Sequence, residues 1–164
     1  MQMTEEKYDR LLRIRTTGRD DSRSDQYRFP YEPTPYSVLE RLANAGYIRK
    51  GSTLLDYGCG KGRVDFFLSW QTRCRTIGVE YDKRIFEKAE ENQKTAVSAG
   101  RTVFHLANAE TFPVPEHVDR IYFLIPFLRR FLKKCSVGFW NPGMRIPERF
   151  CCFFTIRQTN IYPI

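Results

Sequence analysis

Long apolar runs are missing from this sequence of 164 residues, in which hydrophobic residues make up 41% and charged residues 28%. No run approaches the ~20 apolar residues that a membrane-spanning helix needs, so we expect no membrane partner. The N-terminal segment MQMTEEKYDRLLRIR is charged throughout and lacks the apolar core of a signal peptide. The sequence therefore predicts a cytoplasmic protein with a core of about one domain.

Cysteine and histidine are too few and too scattered to predict a disulfide framework or a metal centre. The five cysteines are an odd number without framework spacing, which favours a reducing compartment. Cys74 has no partner at ligand spacing, and Cys151 and Cys152 are adjacent rather than in a C-x-x-C pair. His105 and His117 have no visible acid–base partner, so core or surface roles are favoured. We predict no metal site.

Short apolar runs alternate with helical patterns along most of the chain. Strands are predicted for TLLDY, RTIGVE, RTVFHL and DRIYFLI, which begin at residues 53, 75, 101 and 119. Helices are predicted at 4–14, from 34, over VDFFLSW and at 82–100. The second helix would have Thr34 as N-cap, Pro35 first and Gly46 just past its end, with an apolar face of Val38, Leu39, Leu42 and Ala45. Asp82 would cap the last helix and Gly100 would end it.

This alternation predicts an α/β fold with a Rossmann-like, mainly parallel sheet and helices on both faces. We divide the chain into an N-terminal helix and lid-like loop (1–33), a core (34–127) and an atypical basic tail (128–164). RFCCFFTIR, at 149–157, is the one tail segment with a strand pattern. We therefore expect the sheet to be incomplete or irregular beyond strand four, which would leave that strand as an exposed edge.

The segment LLDYGCGKGRV joins the first strand to its helix and contains Asp56, Gly58, Gly60 and Gly62. In a parallel sheet the ligand lies at the carboxyl ends of the strands, over this first turn. Glycines there let the backbone approach a ligand closely, and the helix that follows turns free N–H groups toward the site. A nucleotide-like ligand is the simplest explanation; a tight turn without a ligand is the alternative.

Two further elements reach the same edge of the predicted sheet. Glu80 ends the second strand, where a carboxylate can accept both hydroxyls of a ribose. ANAE, at 107–110, closes the third strand, and Asn108 could donate to or accept from an adenine edge. A nicotinamide oxidoreductase would need a glycine at position 63 to complete G-x-G-x-x-G, and the chain has Arg63 there.

The spacing D-x-G-x-G-x-G, joined to GVEYD and to the NAE turn, resembles the first motifs of class I S-adenosylmethionine-dependent methyltransferases. The resemblance covers roughly residues 27–127 and implies S-adenosyl-L-methionine as cofactor. Asp56 would orient its amino-acid end, Gly58 and Gly60 would pack under its methionine and ribose, Glu80 would hold the ribose hydroxyls, and Asn108 with Ala109 would border the adenine. The whole candidate set is Asp56, Tyr57, Gly58, Gly60, Gly62, Glu80, Tyr81, Asn108 and Ala109.

Three side chains near this motif have two interpretations each. Tyr31 and Tyr36 lie before the first core helix, where such enzymes often fold a lid over the cofactor, but either side chain could instead be packing. Cys59, inside the glycine loop, could be a nucleophile or a small packing residue, and packing is favoured.

The resemblance weakens after the fourth strand. Relatives that act on nitrogen often have an N-P-P-Y-like or N-P-F-like turn there, and this chain has Ile125-Pro126-Phe127. From Leu124 to the end lie seven Lys or Arg side chains and one acid, Glu148, so most of the net charge of +8 belongs to the tail. One lost T in the codons for Phe123 and Leu124 would explain the change, because restoring it allows N-P-F, a helix and the strand EILLFFYY. We hypothesise a frame-shifted tail.

These observations leave two classes of function open. The first is a methyltransferase with an unidentified acceptor, for which nitrogen is our expectation, and with activity impaired by the altered tail. The second is a non-catalytic nucleotide- or nucleic-acid-binding protein that uses the basic tail. The tail could also be only a solvated basic face with no binding role. The sequence does not identify the acceptor or the oligomeric state.

Overall fold

The computed structural model describes residues 3–18, 31–124, 151–155 and 161–163, the last two ranges by their backbone. The helices are α1 (Glu5–Leu12), α2 (Tyr36–Asn44), α3 (Arg63–Thr72) and α4 (Lys83–Gln93), followed by a 3₁₀ turn at Ala99–Arg101. The strands are β1 (Thr53–Tyr57), β2 (Arg75–Glu80), β3 (Thr102–Leu106), β4 (Arg120–Leu124), β5 (Cys151–Thr155) and β6 (Ile161–Pro163).

The strands form one sheet in the order β3-β2-β1-β4-β5-β6. β1 pairs in parallel with β2 and β4, and β2 with β3. The chain therefore leaves β1, crosses to one side through β2 and β3, and returns to the other side at β4. This reversal places the end of β1 at a crevice on the carboxyl edge of the sheet. The predicted α/β class and mainly parallel sheet are confirmed.

The predicted open edge at the fourth strand is wrong. β5 pairs in parallel with β4 from Arg120↔Cys151 to Leu124↔Thr155, and β6 pairs antiparallel with β5. The physical reason lies in the segment CCFFT, which has no charge and two aromatic residues and so suits a paired strand. Most of the tail, 125–150 and 156–160, lies outside the described residues, and so do the frame-shift hypothesis and the Ile125-Pro126-Phe127 turn.

The predicted helices form, but two boundaries differ. Thr34 does not cap α2, because its hydroxyl lies 3.0 Å from the Tyr122 hydroxyl and bonds with it. Pro35 occupies the cap position instead, Ala45 is exposed, and Gly46 follows with φ +78°. α4 is capped by Asp82, whose side chain accepts from the Arg84 N–H, as predicted.

α4 ends at Gln93 rather than at the predicted Gly100. Beyond the helix the chain turns toward the end of α1. The Thr95 hydroxyl donates to the Arg13 carbonyl at 2.7 Å, and the Val97 N–H donates to the Leu12 carbonyl at 3.2 Å. These long-range bonds compete with helix continuation, and they attach α1 to the sheet domain.

Two apolar clusters lie on opposite faces of the sheet. The first joins the sheet to helices and includes Tyr8 and Leu12 of α1, Leu39 of α2, Phe66 and Phe67 of α3. The second contains alternate side chains of β1, β2 and β4 with residues of the 107–118 loop, among them Tyr57, Val79, Ala109, Val118 and Phe123. Alternation along the strands explains why Leu54 and Leu55 enter different clusters.

No helix within the described ranges is long and apolar enough to cross a membrane.

Candidate functional site

The glycine loop, residues 58–62, connects β1 to α3 at the centre of the carboxyl edge. The N–H groups of Gly58 and Cys59 donate to the Val79 carbonyl at 2.8 and 3.1 Å, which fixes the loop to the end of β2. Gly58, Gly60 and Gly62 have φ of +84°, +58° and +83°. These left-handed torsions strain residues with a Cβ, so the turn requires glycine.

The three glycines have different surroundings. A Cβ on Gly58 would meet nothing within 4 Å, so open space lies over its backbone. On Gly60 a Cβ would lie 2.5 Å from the ring of Tyr31, and on Gly62 it would lie 2.7 Å from Phe104 and 2.8 Å from Phe66. Gly62 thus permits close packing of α3 on the sheet, while Gly58 is the position that leaves room for a ligand.

Glu80, at the end of β2, is a fixed acceptor beside this loop. One carboxylate oxygen accepts from the N–H groups of Tyr81 and Asp82, both at 2.9 Å, and the other accepts from the Gly60 N–H at 3.1 Å. Burial raises the pKa of Glu80 above its ordinary value, although the three N–H bonds favour the charged form. Each oxygen keeps lone-pair capacity for a hydroxyl donor.

Asp56 lies under the loop with its side chain turned toward Asp65 of α3. Both carboxyls are fully enclosed, and neither Asp56 Oδ2 nor either oxygen of Asp65 has a hydrogen-bond partner when both groups are ionised. Burial raises the pKa of both groups, that of Asp65 to about 7, and the charge of Asp65 raises the pKa of Asp56 further. One proton held between Asp56 Oδ2 and an oxygen of Asp65 would pair these two atoms and remove one of the two buried charges. This contact was not predictable from the sequence, because an acidic residue is common in the first turn of a helix.

The remaining predicted residues lie around the same edge. The Ala107 N–H donates to the Glu80 carbonyl at 2.9 Å, which brings the 107–110 turn beside β2. Asn108 is exposed, and its Oδ1 accepts from the Glu110 N–H at 2.9 Å. Ala109 is nearly buried in the second cluster, and Tyr81 is 53% exposed.

Tyr57 is placed differently from the other predicted residues. Its ring stacks on Phe123, and its hydroxyl donates to the Phe112 carbonyl at 3.0 Å. This side chain therefore packs in the second cluster and holds the 107–118 loop against β1. A contact between Tyr57 and a ligand at the loop would come from its backbone.

The two lid candidates have separate roles. Tyr36 is 1% exposed, and its hydroxyl donates to Asp9 at 2.6 Å, so it is a packing residue. Tyr31 lies against Gly60, and the Lys61 ammonium sits 4.3 Å from the centre of its ring. Tyr31 is thus an aromatic side chain of the N-terminal part that reaches the glycine loop.

The cysteines and histidines of the described core show no arrangement that would make them nucleophiles or acid–base groups. Burial raises the pKa of the Cys59 thiol well above its ordinary value, so the thiol is a poor nucleophile and packs against Gly78. Cys74 is fully buried. His105 and His117 are exposed, and His105 lies against Phe112.

The strand order, the glycine loop and an acid at the end of β2 together define a Rossmann-like domain of the class I methyltransferase type. The sequence profile of a family described as "Methyltransferase domain" matches residues 48–137 of this chain. This match covers more than half of the chain. The chain belongs to this methyltransferase domain family.

Individual relatives agree with this assignment. A protein-lysine N-methyltransferase of Saccharolobus islandicus (strain REY15A) is 28% identical over 119 residues, covering 71% of this chain and 73% of the relative. The 27-O-demethylrifamycin SV methyltransferase of Amycolatopsis mediterranei (strain S699) is 29% identical over 79 residues, covering 48% of this chain and 29% of the relative.

Solved structures share the fold. An RNA methyltransferase from Salinibacter ruber, in complex with S-adenosyl-L-homocysteine, superposes with a TM-score of 0.60 and 20% identity, covering 75% of this chain and 76% of that one. The predicted S-adenosylmethionine-dependent methyltransferase is thereby confirmed for the class of enzyme and its cofactor. The role of each predicted site residue stays a prediction.

Proposed function

We propose that this chain binds S-adenosyl-L-methionine over the glycine loop and transfers its methyl group to an amine nitrogen of a protein substrate. Cofactor binding is supported by two neighbouring features: open space over Gly58 and the carboxylate of Glu80, which is held in place by backbone N–H groups. Glu80 follows Val79, whose carbonyl accepts from the N–H groups of the loop. A nucleoside needs both features: a close backbone approach and an acceptor for its ribose hydroxyls.

The residues of the site fit this cofactor. Gly58 would leave room for the methionine part, and the lone pairs left on Glu80 would accept from the ribose hydroxyls. The buried carboxyls of Asp56, Asp65 and Glu80 keep negative charge beside the loop even when Asp56 and Asp65 share one proton, which suits a cofactor with a sulfonium and an α-ammonium group. Asn108 and Ala109 follow the end of β3, where they would lie beside the adenine.

S-adenosylmethionine supplies a methyl group already activated on sulfur, so that its S–C bond breaks as the new N–C bond forms. The protein then has mainly to align the acceptor and exclude water. The incoming amine must be neutral, and its proton leaves to solvent after transfer. Alignment would fall to Ile125, Pro126 and Phe127, which follow β4 in the sequence.

The nitrogen acceptor is supported by the relative named for lysine N-methylation, whose match covers about seven-tenths of both chains. The relative named for an O-methylation step matches a shorter stretch, less than a third of its own length. We also propose that transfer by this chain is slow, because Ile125 stands where nitrogen-directed relatives have a polar side chain that accepts from the amine.

Labelled methyl transfer tests this proposal. The pure protein is incubated with S-adenosylmethionine carrying a tritiated methyl group and with a lysine-rich polypeptide, its fully acetylated form or an unstructured RNA. The proposal predicts slow labelling of the free amines alone, and faster labelling by Ile125→Asn. Equal labelling of the acetylated polypeptide, or labelling of the RNA alone, would contradict the amine acceptor.

A further inference from the structure

Arg63 is the first residue of α3 and directly follows the last glycine of the loop. Its side chain is 3% exposed, unusually low for an arginine. An arginine can be buried at this level only if its charge and its N–H groups are satisfied. The contacts of Arg63 are therefore specific to its place in the fold.

These contacts reach residues 5–36, that is, the N-terminal segment and the start of α2. The Nε–H donates to Thr16 Oγ1 at 2.7 Å, and Nη2 donates to Thr17 Oγ1 at 3.1 Å. Nη1 donates to the Thr34 carbonyl at 3.2 Å and pairs with Glu5. The guanidinium also lies 4.3 Å from the centre of the Tyr36 ring.

Asp9 completes the network on the other side of Thr16. It accepts from the Thr16 N–H and hydroxyl, both at 2.6 Å, and lies 3.8 Å from Arg63 Nη2. Burial raises the pKa of Asp9, but the hydrogen bonds from Thr16, Tyr36 and Thr17 outweigh this effect and lower it overall. Asp9 is thus an ionised partner that fixes the backbone of Thr16.

The Thr16 carbonyl holds Tyr31. The Tyr31 hydroxyl donates to it at 2.8 Å, and the ring covers Gly60. Gly60 is also the residue whose N–H binds Glu80. One continuous set of bonds therefore runs from Arg63 through Thr16 and Tyr31 to the peptide beside the proposed ribose acceptor.

We propose that Arg63 is a positioning residue that acts through Thr16 to hold Tyr31 over Gly60 and so shapes the wall of the cofactor pocket. This inference rests on the proposed function. The fork of the guanidinium matters more than its charge, because three N–H groups at fixed angles reach three different oxygens. Lysine keeps the charge and loses this geometry.

The test is a double-mutant cycle on S-adenosylhomocysteine binding, measured by titration calorimetry with the full chain at a temperature at which every variant is folded. Arg63→Lys is expected to weaken binding by about tenfold (1.4 kcal/mol), and Tyr31→Phe by a smaller factor. The double variant should bind no more weakly than Arg63→Lys, because both changes interrupt one set of bonds.

Arg101→Lys is the matched control. Arg101 Nε and Nη2 donate to the side chain and carbonyl of Ser69 at 3.2 and 3.1 Å, away from the glycine loop. The Arg101→Lys variant should be less stable than the wild type and should bind S-adenosylhomocysteine with the wild-type affinity.

Wild-type affinity in Arg63→Lys, or effects that multiply in the double variant, would overturn the positioning role. If Arg63→Lys does not fold, Tyr31→Phe decides alone, and unchanged affinity there overturns the proposal. A wild-type protein that binds no S-adenosylhomocysteine would instead refute the proposed function.

Discussion

Among single residues, Gly58 is the one on which the proposed cofactor site depends, because it has open space above it. Gly58→Ala would place a methyl group in that space and would also strain a backbone with φ +84°. The strain alone costs about 1 kcal/mol of unfolding free energy. We predict this loss together with a loss of S-adenosylhomocysteine binding, measured by urea unfolding and calorimetry.

Gly46→Ala separates the two effects. Gly46 has φ +78° and also has nothing within 4 Å of an added Cβ, but it follows α2, away from the loop. Gly46→Ala should lower the unfolding free energy by the same amount as Gly58→Ala and should leave the affinity for S-adenosylhomocysteine unchanged. Equal affinity losses in the two variants would contradict a ligand position over Gly58.

The buried Asp56–Asp65 pair predicts a pH dependence of stability. Because burial raises the folded pKa of Asp65 from 3.8 to about 7, its contribution to stability is fully present below pH 4 and is lost as the pH rises through 7. Asp65→Asn supplies an N–H donor to Asp56 without a second charge. We predict that it raises the unfolding free energy at pH 8 by roughly 1–3 kcal/mol.

Urea unfolding at pH 5 and pH 8 checks this expectation, with Glu87→Gln, an exposed carboxyl on α4, as control. The increase in unfolding free energy caused by Asp65→Asn should be smaller at pH 5 than at pH 8. A variant that is destabilised equally at both pH values would show that the pair does not share a proton.

At the scale of elements, α4 holds the N-terminal segment to the glycine loop through Asn92, which is 6% exposed. Its Oδ1 accepts from the Arg15 N–H at 2.8 Å, and its Nδ2 donates to the carbonyls of Arg15 and Lys61 at 3.3 and 3.0 Å. Asn92→Ala leaves these backbone groups without this partner. We predict a loss of roughly 2–3 kcal/mol in unfolding free energy.

Hydrogen exchange gives a local readout of the same change, because the Arg15 amide should exchange faster in Asn92→Ala. Glu90→Ala, an exposed change on the same helix, should shift stability by no more than about 0.5 kcal/mol. An Asn92→Ala protein with wild-type stability and Arg15 exchange would contradict the connecting role of α4.

Elements with a strong local signal were predictable from the sequence. Short apolar runs that alternate with helical patterns predicted β1 to β4, and the D-x-G-x-G-x-G spacing located the loop. Contacts between distant segments were not predictable: the bond from Thr34 to Tyr122 moved the start of α2, and the turn toward α1 ended α4 early. In the sequence, Arg63 was informative only as the absence of a glycine at that position, because its six partners, all between residues 5 and 36, lie far from it along the chain.

At the scale of the whole molecule, the described part of the tail, β5 and β6, differs from the open sheet edge that the sequence predicted. β5 completes the sheet beside β4, and the family match continues to residue 137, past the position where the hypothesis places the change of frame. The hypothesis stays a prediction: sequencing the gene across the codons for residues 122–127 should show one additional T. A gene with the same number of T bases as the present reading would contradict the frame-shift hypothesis and would show that the basic tail is the native sequence.

Calorimetric titration with S-adenosylhomocysteine shows whether the carboxyl edge of β1 and β2 binds S-adenosylmethionine, as we claim. We predict saturable binding at one site per chain, unaffected by NAD and weakened by about tenfold or more in Glu80→Ala. A folded wild-type protein that shows no saturable binding, or one whose affinity is unchanged in Glu80→Ala, would contradict the claim.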